Sequence, residues 1–82
     1  MILARFEGVK DGLSKKGTAY ADVFFKEVDK NGDVALEQTH YRTFDAGTIA
    51  LCKVLNMGDM ISIDLEVRDA LVRGVSRVDM EG

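Results

Sequence analysis

The sequence contains no proline, no tryptophan, one cysteine and one histidine. A single cysteine, Cys52, excludes an internal disulfide, which fits a chain expected in the cytoplasm. No apolar run approaches the roughly 18 residues needed to span a bilayer, so no membrane role is expected. Met1-Ile2-Leu3 is followed at once by Arg5 and Glu7, which leaves no hydrophobic region for a signal peptide. His40 and Cys52 fall on different predicted elements, nothing forms a zinc ligand set, and no glycine-rich phosphate loop follows a strand. Catalysis therefore has little support, and the expectation is a non-enzyme without cofactor or metal.

There is also no low-complexity tract and no internal repeat. With 82 residues, one domain spanning 1–82 is expected. A domain of this size has a thin core, and a dimer or higher homo-oligomer is a common way to bury more surface. The net charge of −3 argues against a nucleic-acid binder of the simplest, uniformly basic kind. Its distribution is uneven. Residues 1–16 carry four basic and two acidic side chains, whereas residues 60–82 carry three basic and five acidic.

Turn signals recur at Lys10-Asp11-Gly12, Lys16-Gly17, Lys30-Asn31-Gly32-Asp33, Asn56-Met57-Gly58-Asp59 and Gly74, with strand-like stretches between them. Ile2 to Val9 reads as a first strand with Ile2, Ala4 and Phe6 inward. From Thr18 to Val28 the period is two: Ala19, Ala21, Val23 and Phe25 on one face, Tyr20, Asp22, Phe24 and Lys26 on the other. Asn31-Gly32 tolerates positive φ and predicts a tight hairpin into a strand over Val34 to Phe44. Met60 to Arg68 alternates, with Ile61, Ile63, Leu65 and Val67 inward, and Val72 to Met80 reads as a last strand with a bulge or bend at Gly74. One segment departs from strand periodicity. Between Asp45, a suitable N-cap, and Asn56-Met57-Gly58, a suitable stop, Thr48, Leu51, Cys52 and Leu55 share a helical face.

The predicted order is three strands, a helix and two strands. This is a mainly β chain, and the order matches a five-stranded OB-fold Greek-key barrel with one helix between strands 3 and 4. The stretches SKKGTAYADVFF and QTHYRTFDAGTIALCKVLNMGDMISIDLEVR resemble the single-stranded DNA-binding protein family in pattern. There a Lys/Arg-Gly loop leads into an alternating second strand, and a hydrophobic helix ends in a Gly-Asp turn before an I-x-I-x-L-x-V strand. The length is similar to that of the small phage-encoded members. The chain differs from the bacterial type in lacking tryptophan and a long acidic C-terminal tail, which leaves phage or mobile-element use open. The resemblance implies a role in DNA replication or recombination and places the family's aromatic and basic positions at Tyr20, Phe24, His40 and Arg42.

The residues carry a parallel argument. A single-strand binder needs flat rings for base stacking and cations along the phosphate path. Tyr20 and Phe24 share a strand face about 13 Å apart at roughly 3.3 Å per residue. Lys15 and Lys16 lie in the loop just before them, Lys10 is a further candidate cation, and His40, Arg42 and Phe44 share a face by period two. A bulge that shifted register by one residue would instead bury Phe24 and expose Phe25, or turn Tyr41 outward in place of His40. DKNGDVALE places Asp29, Asn31 and Asp33 at positions one, three and five of a calcium loop, but Val34 stands where glycine is needed and His40 where a bidentate glutamate is needed. Two functions follow as expectations. The first is single-stranded DNA binding with low sequence preference. The second is a protein–protein adaptor or structural subunit on the same small barrel.

Overall fold

The computed structural model describes residues 1–78. Five strands and one helix run in the order β1 (Ile2–Leu13), β2 (Ala19–Glu27), β3 (Thr39–Thr43), α1 (Ala46–Val54), β4 (Met60–Glu66) and β5 (Leu71–Arg77). The strands close into a barrel of order β1-β2-β3-β5-β4. All pairings are antiparallel except β3 with β5, which are parallel and joined at the single pair Arg42 and Leu71. This is the five-stranded OB-fold barrel with its helix between strands 3 and 4. No helix of the described residues is long and apolar enough to cross a membrane.

The alternation in β2 decides the interior. Ala21, Val23 and Phe25 are fully buried, and Val23 and Phe25 meet Ala4, Phe6, Ile61, Ile63 and Val72 in one core cluster. Phe25 stacks on Tyr41, with ring centroids 6.1 Å apart at 22°. In α1, Asp45 accepts hydrogen bonds from the Thr48 backbone N–H at 2.9 Å and the Thr48 hydroxyl at 2.8 Å. That cap fixes the entry angle at which α1 sets Cys52 and Leu55 into the core. Burial pushes the Cys52 thiol up to about 11, so it packs as a small apolar group instead of reacting.

Two bulges shape the barrel. The register jumps from Phe6–Phe25 to Gly8–Phe24, leaving Glu7 as the extra residue on β1. It jumps again from Asp64–Gly74 to Leu65–Val72, leaving Arg73 extra beside Gly74, where the sequence places a bend. Several element limits differ from sequence expectation. Lys10-Asp11-Gly12 is no turn: β1 runs through it to Leu13, and the turn falls at residues 14–18, where Gly17 N–H donates to the Ser14 carbonyl. The third strand starts at Thr39 and not Val34. Residues 29–38 are exposed and have no core to lie on, so only the isolated Val28–Val34 bridge continues the pairing. Val67 is 81% exposed because β4 ends at Glu66, before the 67–70 turn, and Ala19 lies exposed at the start of β2. The proposed strand end at Met80 lies outside the described residues.

Adjacent phenylalanines give a direct stability test. Phe25→Ala is expected to cost about 3–5 kcal/mol in urea unfolding. Phe24→Ala, on the outer face, is expected to cost about 1 kcal/mol; equal losses would mean the register is wrong. The cap gives a pH test. The hydrogen bonds from Thr48, the side-chain one foremost, hold the Asp45 carboxyl below its ordinary 3.8. Its contribution is therefore present above that range and lost as pH falls through the lowered folded value. Urea midpoints of Asp45→Asn should show a shallower acid decline than those of the parent, and parallel curves would contradict the cap's role.

Candidate functional site

The outer face of β1, β2 and β3 is built from the residues that the alternation turns away from the core. Register pairs align them in rows, because directly opposed residues of antiparallel strands share a face. Gly8, Phe24 and His40 form one row, and Lys10, Asp22 and Arg42 form the next. Gly12 and Tyr20 form the third, which Phe44 extends just past the end of β3. The β1 bulge at Glu7 brings Gly8, Lys10 and Gly12 to this face.

Ring contacts follow the rows. Phe24 and His40 lie 5.1 Å apart between centroids at 32°. Tyr20 and Phe44 meet edge to face at 6.2 Å and 61°. Between these pairs Asp22 and Arg42 form an ion pair, with the Arg42 Nε–H donating to Asp22 Oδ1 at 2.9 Å and Nη2 to Oδ2 at 3.4 Å. The same guanidinium sits over Tyr20, its Cζ 3.8 Å from the ring centroid. The hydrogen bond to Asp22 raises the already high pKa of Arg42, so it stays a cation at every working pH.

The structure brings five of the sequence-predicted residues into one surface: Tyr20, Phe24, His40, Arg42 and Phe44. Phe24 is the outward phenylalanine and Phe25 the core one; His40 is exposed, while Tyr41 packs against the core. Lys10 flanks the surface on β1. Lys15 and Lys16 are exposed in the turn at the Tyr20 end, held by the Ser14 backbone and hydroxyl contacts to Thr18. None of these three lysines makes an ion pair with a described residue, whereas Arg42 is already paired. A groove of about 510 Å³ runs beside Arg42 and Phe44 to Asp69 and Leu71 at the β4–β5 turn. A second hollow of about 250 Å³ lies where Tyr20 and Gly12 face Ile49 of α1, rimmed by the 2.8 Å Lys53–Asp11 ion pair.

Sequence reasoning missed the role of Asp22 and the two β1 glycines. Gly8 and Gly12 flank Lys10 at period two, a signal hidden by reading Lys10-Asp11-Gly12 as a turn. The calcium-like stretch is an ordinary hairpin: Asp29 Oδ1 accepts from the Asn31 and Asp33 backbone N–H groups, and Gly32 has φ 86°.

Gly12 is needed for the position of Tyr20. A Cβ at residue 12 would come within 2.8 Å of the Tyr20 hydroxyl oxygen. Since that is the free end of a side chain, Gly12→Ala should fold normally while displacing the ring. Nuclear magnetic resonance should record shifted Tyr20 ring signals with core signals unchanged; an unmoved Tyr20 would contradict the packing described. Compared with family models, curated proteins and solved structures, the chain matches none.

Proposed function

We propose that this chain binds single-stranded nucleic acid, with single-stranded DNA as the primary ligand and little sequence preference. The observation that carries the reading is the outward ladder of Tyr20, Phe24, His40, Arg42 and Phe44 on one open barrel face, with three lysines beside it that pair with no described residue. Stacking needs only a π-face, which every base has, so such a surface accepts any sequence. Phe24 and Phe44, the latter 45% exposed, are the rings best placed to receive bases. Lys10, Lys15 and Lys16 supply the cations for phosphate, and Arg42 joins them only on leaving Asp22.

The charge at the two ends of β2 gives the path a direction. Lys15 and Lys16 lie at one end. The β2–β3 hairpin at the other carries Glu27, Asp29, Asp33 and Glu37 against one lysine, Lys30. A bound polyanion is therefore favoured at the Tyr20 end and repelled at the hairpin, past the Arg5–Lys26 row whose two cations share Glu7. A dimer or higher oligomer would lengthen the covered strand. The adaptor reading draws support from the 95% exposed Leu36 on that acidic hairpin, a feature that stacking on the opposite end does not use.

The test is a titration of fluorescent oligo-dT at low and moderate salt. Three lysine–phosphate contacts predict a slope of log affinity against log salt of about −2, at roughly −0.7 per contact for single strands. Replacing Lys15 and Lys16 together by alanine should flatten it by about 1.4. Phe24→Ala should lose about 1–3 kcal/mol of binding. Absence of binding at low salt contradicts the reading. If Phe24→Ala instead changes the sedimentation coefficient and leaves dT affinity alone, the adaptor reading takes its place.

A further inference from the structure

The centre of the proposed interface is not empty surface. Arg42 covers one face of Tyr20 at 3.8 Å, a separation typical of stacked planes, and Asp22 holds it there through two hydrogen bonds. A planar guanidinium over a phenol ring occupies the place a nucleobase would take. Asp22 is itself a carboxylate in the middle of a surface that must accept phosphate. Lys10, its register neighbour on β1, stands on the same face and makes no ion pair with a described residue.

We propose that Asp22 is the affinity-setting residue of this face: ligand enters by exchange, in which Arg42 leaves Asp22 and Tyr20 for a ligand phosphate and a base takes the vacated ring. The inference rests on the single-strand reading of the site. Its chemistry is ion-pair exchange without any covalent step. Before binding, Arg42 is paired with Asp22. Afterwards it is paired with phosphate, and Lys10 is the cation nearest to compensate Asp22. Because an exposed ion pair is weak, the exchange is accessible, yet it subtracts from affinity at every binding event. Asp22 thereby keeps binding reversible and restrains Arg42 from acting as a free cation for any polyanion.

The test uses the full chain with oligo-dT and four proteins: the parent, Asp22→Asn, Arg42→Gln and the double variant. Asp22→Asn is expected to bind about three- to tenfold more tightly at low salt. In the Arg42→Gln background the same change should gain less than about twofold, because the residue that Asp22 restrains is gone. Asp22→Glu, which keeps a carboxylate within reach of Arg42, should bind like the parent. In the free proteins, Asp22→Asn should lose the ring-current shift that Tyr20 imposes on the Arg42 side-chain protons, and Asp22→Glu should keep it. Should Asp22→Asn fold poorly, Asp22→Ser serves the same cycle.

An equal gain in both backgrounds means simple charge repulsion and overturns the exchange. So does unchanged affinity in Asp22→Asn when the parent binds. If the parent shows no binding at low salt, the single-strand reading fails and the exchange falls with it. The two failures are thus told apart by the parent's titration alone.

Discussion

The molecule depends on the register of β2 against its two neighbours. Phe25, Val23 and Ala21 must point inward together to fill the barrel, and that same alternation forces Phe24, Asp22 and Tyr20 outward together. The pairings Asp22–Arg42 and Phe24–His40 then follow from β3 alignment, and Lys10–Asp22 and Gly12–Tyr20 from β1 alignment. A slip of one residue in β2 would place Phe25 in water and a carboxylate in the core, at a cost a domain this small cannot absorb. Core packing therefore fixes the proposed interface, although none of its residues lies in the core.

Closure of the barrel adds a second constraint at the same place. β3 and β5 are joined only at Arg42 and Leu71, so the backbone of Arg42 belongs to the narrowest seam of the barrel. Its side chain, meanwhile, is shared between Asp22 and Tyr20. Arg42 is thus anchored at the backbone, while its tip is held by an ion pair and a ring face at the surface. Charge is arranged on a similar plan. The net −3 conceals a basic turn at one end of β2 and an acidic hairpin at the other, separated by about 26 Å at roughly 3.3 Å per strand residue. For a small domain, such polarity matters more to an elongated polyanion than the sum of charges does.

Much of the architecture was legible because it is encoded locally. The two-residue period of β2, the Asp45 cap, the Thr48-Cys52-Leu55 helical stripe and the bend at Gly74 each need only neighbouring residues to be read. The misplaced limits had non-local causes. β1 continues through Lys10-Asp11-Gly12 because β2 pairs with it there, which outweighs the turn tendency of Asp-Gly. The stretch from Val34 to Gln38 fails as a strand because the barrel offers it no face to cover. Val67 matches the inward positions of β4 but lies beyond the last pair with β5. The site shows the same division. Outward Tyr20, Phe24, His40, Arg42 and Phe44 could be read from alternation, once the choice between Phe24 and Phe25 was resolved by the core. Their partners could not, because Asp22 meets Arg42 across 20 residues of sequence and only the register brings them together.

Under the proposed function one face, and not the barrel as a whole, receives single-stranded nucleic acid. Mapping chemical-shift changes on the isotopically labelled chain during titration with a short dT oligonucleotide tests it most directly. Changes are expected to concentrate at Tyr20, Phe24, His40, Arg42 and Phe44 and to extend to Lys10, Lys15 and Lys16, with the 29–37 hairpin silent. Changes centred on that hairpin or on the exposed side of α1, or no changes at low salt, would contradict it.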